Sequence, residues 1–190
     1  MRFVLHYRGP LRSNGNPAHK HELREAFHLQ LKQLWAQPPL SEHAKFLVYP
    51  RSRPGEYSLP RPFGPFVFVP LVAGEMNVVA ELSVVLLRPE APGKLITQGG
   101  DIDNRLKTLF DALTVPRHQN ALPPDAAPTP DQQPFFYCLL EDDNLVTSVA
   151  VKTEQLLEPV ADASIVDVSI TVYTKVTRLT MGNGNFALGA

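Results

Sequence analysis

Asp101-Ile102-Asp103-Asn104-Arg105-Leu106-Lys107 is the stretch of this chain whose residue types and spacing could do chemistry. Two carboxylates two residues apart, following Gly99-Gly100, can both turn toward one cation as the backbone enters a helix. Magnesium takes hard oxygen ligands in octahedral geometry and keeps several of its waters. Lys107 lies four residues beyond Asp103, one helical turn along the same face. An ammonium there could hold a phosphate or offset charge that builds on it. The same pattern also describes plain helix capping, with an Asp at the helix start and Lys107 paired to Asp103.

A second acidic group, Glu141-Asp142-Asp143, stands directly before an apolar β-type stretch. Adjacent carboxylates repel one another unless water or a metal ion separates them. Alone it reads as an acidic turn. Together the two clusters supply five acids from the ends of regular elements, which is enough for a metal cage.

The elements that must position these residues follow from periodicity. Residues 2–8 read as a first strand. Asn16-Pro17 reads as a helix cap followed by proline at the first helical position. Leu23, Phe27, Leu31, Leu34 and Trp35 then recur at helical spacing up to Pro38, with Lys20, Arg24, Gln30 and Lys32 on the other face. Lys45–Tyr49 reads as a short strand. Phe66–Val69, Val78–Leu87, Asn144–Lys152 and Ser164–Val176 read as further strands. Asp101–Leu113 reads as the second principal helix, with Leu106, Leu109, Phe110 and Leu113 on one face. The expected fold is α/β (α+β), a mixed sheet with two principal helices.

The segment 116–134 holds six prolines in nineteen residues and cannot sustain a helix or a central strand. It reads as an exposed insertion. The 190 residues suit one domain over 1–180, with Gly- and Asn-rich residues 181–190 as a flexible tail.

Net charge is −1, but it is unevenly distributed. Residues 1–53 hold nine Lys or Arg against three acids, and the remainder holds nine against sixteen, so the first part carries +6 and the rest −7. This suits a protein that grips phosphate with one part and metal with the other. No apolar run is long enough for a membrane helix, and the N-terminus lacks a signal-peptide pattern. The single cysteine, Cys138, excludes an internal disulfide and a cysteine zinc cluster. The expected setting is cytoplasmic.

The motifs resemble the RusA family of Holliday junction resolvases. The resemblance rests on Asp101-Ile-Asp103-Asn104, Lys107, the phrase Phe110-Asp111-Ala112-Leu113-Thr114, and Glu141-Asp142-Asp143 leading a strand that ends near Lys152. It covers residues 101–114 and 139–152. It implies a RusA-like homodimer that nicks branched, four-way DNA with Mg2+ or Mn2+ in recombination and repair. It further implies Asp101, Asp103 and Asp142 as catalytic metal ligands, with Asp143 as the rival or neighbouring ligand and Lys107 as a catalytic or phosphate-contacting cation. Arg24, Lys32, Arg105 and Lys152 are the candidate DNA contacts. A nuclease for another branched or flapped nucleic acid, or a binding protein without turnover, fits the same motifs.

Overall fold

A computed structural model describes residues 1–51, 57–89, 102–162, 164–180 and 182–187. Strand β1 (Arg2–Pro10) is followed by helix α1 (Pro17–Trp35) and a 3-10 helix over Leu40–Leu47. Strands β2 (Arg61–Phe63), β3 (Phe66–Val72) and β4 (Val78–Arg88) come next, then helix α2 (Ile102–Leu113). Strands β5 (Phe136–Leu140), β6 (Val146–Gln155) and β7 (Ile165–Val176) follow, with a short helix α3 (Gly184–Ala187).

The strands form two mixed sheets. One has the order β1-β7-β4-β6 and the other β2-β3-β5. In the larger sheet β7 is antiparallel to both neighbours, and β6 runs parallel to β4. One row crosses it as Leu5, Ile170, Val84 and Val151. Alternation sets the sides: Val78, Ala80, Leu82, Val84 and Leu86 are buried, while the residues between them are half-buried. The smaller sheet turns from β2 to β3 at Gly64, whose φ of +56° is a conformation that favours glycine. It then pairs β3 with β5 in parallel. The α+β class expected from the sequence holds, with two sheets rather than one.

Helix α1 starts as its cap requires. The Asn16 side chain accepts from the His19 N–H, and Pro17 occupies the first turn. Leu23, Phe27, Leu31 and Trp35 are buried as expected. Arg24 and His28 are buried too, because α2 and β5 cover a second flank of the helix.

Three expectations are corrected. Lys45–Tyr49 is not a strand. Leu40, His43 and Phe46 are buried along two short 3-10 turns that meet at a kink at His43. Residues 182–187 are not a frayed tail: Phe186 is fully buried against His43 and Phe46, and Asn183 Nδ2 donates to the Met76 carbonyl at 2.7 Å. The proline-rich segment lacks long regular structure but is docked. Leu122 packs with Phe66, Phe68 and Phe136 in a second apolar cluster. Gln132 Nε2 donates to Glu25 on α1 at 2.8 Å, and a reciprocal Thr129–Gln132 box caps the turn there.

Candidate metal and nucleic-acid site

Helix α2 presents the first motif. Leu109, Ala112 and Leu113 bury its apolar stripe. Thr108 Oγ1 accepts from the Gly15 N–H at 2.9 Å and so ties the loop before α1 to mid-helix. Asp103 lies in the first turn and is exposed; its Oδ1 accepts from the Asn104 N–H at 2.8 Å. Lys107 is exposed one turn further on. No ion pair joins Asp103 to Lys107 among the described residues, so the capping pair does not form. Asp101 and the glycine-rich approach to it lie outside the described residues.

The second motif is held at the other end of α2. Thr114, just past the last turn, forms a parallel bridge with Leu140 at the end of β5. Asp103 and Thr114 are eleven residues apart, about 16 Å along a helix. Glu141 is fully engaged: Arg61 Nε donates to its Oε1 at 2.6 Å, and the Gly74 N–H to its Oε2 at 2.9 Å. Asp142 accepts from the Asn144 N–H at 2.9 Å through Oδ1, and Arg117 pairs with its Oδ2. Asp143 is exposed.

The two neighbouring acids face different cavities. Asp142 shares one with Arg61, Gly74 and Glu141. Asp143 shares the other with Lys20, Arg24 and Asp111. Arg117 lines both. Within one chain, the structure therefore gathers Asp142 and Asp143 at the C-terminal end of α2. It leaves Asp103 and Lys107 toward the N-terminal end. Among the described residues, no three His, Cys, Asp or Glu side chains form a group that could hold a metal ion.

Two of the four candidate DNA contacts are buried. Arg24 is 2% exposed, and its Nη2 donates to the Asp111 carbonyl at 2.9 Å. Burial pushes its pKa down to about 10, which leaves it charged at neutral pH. Arg105 is also buried. Arg24 falls on a flank of α1 that α2 and β5 cover, which a single-helix reading cannot foresee. Lys32 is turned toward the proline-rich segment, where Nζ donates to the Asp131 carbonyl at 2.6 Å. Lys152 is exposed on β6.

No family model, curated protein or solved structure matches the chain.

The charge asymmetry has a structural explanation. Lys20 pairs with Asp111, Lys32 with Asp131, Arg51 with Glu75 and Arg8 with Glu158. Each pair joins a base from the first 53 residues to an acid from the remainder. Folding thus neutralises much of the basic segment internally instead of presenting it as one phosphate-binding face.

The sequence reading missed Lys20, Asp111 and Arg117 as site residues. Asp111 lay within the quoted phrase Phe110-Asp111-Ala112, but nothing linked it to α1. Arg117 was hidden in a segment read as a passive insertion.

Proposed function

We propose that the chain is a metal-dependent endonuclease that resolves four-way DNA junctions, acting as a homodimer in recombination and repair. The observation that carries this reading is the start of α2. Asp103 presents an exposed carboxylate there, and Lys107 stands exposed one turn along without pairing to it. Unpaired opposite charges so close in sequence suit a shared ligand better than a capping role.

The donor set fits the family's hard cation. Among the described residues Asp103 Oδ1 has only the Asn104 N–H as a partner, and Asp101 lies two residues before it. Asp101 and Asp103 would hold the ion. A bound Mg2+ or Mn2+ supplies a water of lowered pKa and offsets charge on the phosphate. Lys107 places its ammonium on the same flank, where it binds a phosphate oxygen. Both Asp142 oxygens already have partners, so Asp142 is the weaker member of the implied ligand set.

The test is cleavage of a synthetic four-way junction in Mg2+, beside matched duplex and flap substrates. Symmetric nicking of the junction alone supports the reading. Preferred cleavage of the flap moves the substrate to another branched nucleic acid. Binding to the junction without cleavage of any substrate would point to a non-catalytic binding protein.

A further inference from the structure

The cavity at the C-terminal end of α2 lies apart from the Asp103–Lys107 pair that carries the nuclease reading. It encloses about 350 Å³ between α1 and the first residues of the proline-rich segment. That is the scale of a small-molecule site. It suits one nucleotide and not a tract of duplex.

Part of the lining is cationic. Lys20 and Arg24 come from α1, and Arg117 and His118 from the proline-rich segment. Arg24 is 98% buried, and among the described residues its Nε and Nη1, both shielded from solvent, have no hydrogen-bond partner. Two unsatisfied N–H groups on a buried guanidinium are costly, and further cations beside it add repulsion. An anion in the cavity offsets the repulsion. The carboxylates in the lining are Asp111, held by Lys20 at 2.6 Å, and the exposed Asp143. Arg117 also pairs with Asp142, which belongs to the adjoining cavity. The lining counts three permanent cations against two carboxylates. The lining also includes the apolar Pro17, Val115, Pro116 and Ala121.

We propose that this cavity binds a single nucleotide unit. Its phosphate sits against Lys20, Arg24, Arg117 and His118, and its sugar and base lie along Pro17, Val115, Pro116 and Ala121. The identity of the ligand as part of a DNA strand rests on the nuclease reading; the match to a phosphate joined to an apolar body does not. The proline-rich segment then supplies half of a binding site.

The test is calorimetric titration of the full chain in EDTA, which removes any metal-dependent step. The ligands are thymidine monophosphate, thymidine, inorganic phosphate and a 5′-phosphorylated single-stranded oligonucleotide. The monophosphate should bind at least about tenfold more tightly than thymidine or phosphate. Arg117→Gln and Lys20→Gln should each weaken it about tenfold, the scale of a lost charged hydrogen bond. Arg117 and His118 are exposed, so Arg117→Gln and His118→Gln preserve the fold and keep the test informative. Monophosphate and phosphorylated strand binding alike supports a strand end as ligand. Binding of the monophosphate alone supports a free nucleotide. Equal affinity for thymidine and its monophosphate, indifference to both Arg117→Gln and His118→Gln, or no saturable binding would overturn the proposal. A chain that cleaves no junction yet binds the monophosphate retains this site and loses only the nuclease reading.

Discussion

Arg117 and Asp142 form an ion pair that ties the proline-rich segment to the turn before β6. The pair stands between two cavities, since Arg117 lines both and Asp142 lines one of them. The acid that family resemblance points to as a metal ligand is thereby also the anchor of a cation.

These roles separate by mutation. We expect Asp142→Asn and Arg117→Ala to weaken DNA binding by similar factors, with little further loss in the double variant, because each removes the same pair. Affinity measured by fluorescence anisotropy in EDTA gives the coupling. A catalytically dead Asp142→Asn beside a fully active Arg117→Ala would instead make Asp142 a metal ligand.

The proline-rich segment contributes to stability. Leu122 is 7% exposed within the Phe66–Phe68–Phe136 cluster, and Asp131 and Gln132 bond to α1. Leu122→Ala should lower unfolding stability by about 2 kcal/mol or more. Replacement of residues 117–133 by a short Gly-Ser link should cost more. Urea unfolding curves for the two variants measure both effects. Wild-type stability after the replacement would show that the segment is a passive loop, as its composition suggests.

His28 makes stability depend on pH. The Tyr137 N–H donates to His28 Nδ1 at 2.8 Å, while Nε2 lies 3.1 Å from the Asp131 carbonyl and donates to it. That arrangement needs the neutral ring, because a proton on Nδ1 displaces the Tyr137 bond. Burial pushes the His28 pKa below its ordinary value, with Lys32 acting in the same direction against the bonds to Asp131 and Tyr137. The unfolded chain therefore takes up the proton first. The His28 contribution is complete above about pH 6.5 and is lost as pH falls through the lowered folded pKa. Burial lowers His19, His21 and His43 as well, so they add to the same slope. Thermal unfolding should show Tm falling from about pH 7.5 to 5.5, and falling less in His28→Gln. Equal slopes in the two proteins would remove His28 as a cause.

Legibility in the sequence followed the number of faces an element buries. Helix α1 announced itself through Asn16-Pro17 and the Leu23–Phe27–Leu31 stripe, and α2, β4 and β7 through equally regular patterns. The burial of Arg24 is not legible because periodicity identifies the dominant apolar face, not a second flank covered by another helix and a strand. Strand β5 was missed because five residues after Pro134 give too short a pattern, although both Phe136 and Leu140 are fully buried. Phe186 was missed because glycine and asparagine around it describe a flexible tail, and one aromatic carries no period. Within the candidate site, the Asp103–Lys107 spacing was legible because it lies on one helix. The Lys20–Asp111 and Arg117–Asp142 pairs join residues 91 and 25 positions apart and needed the fold.

The most direct measurement is junction cleavage by Asp103→Asn in Mg2+, with junction affinity determined in parallel. Asp103 is exposed, and its removal leaves the buried face of α2 intact. We expect the variant to fold and bind the junction as wild type does, and to lose cleavage by about a hundredfold or more, the scale of removing a group that acts in the transition state. Cleavage at the wild-type rate would contradict the assignment of this carboxylate to the metal, and with it the nuclease reading of the α2 motif.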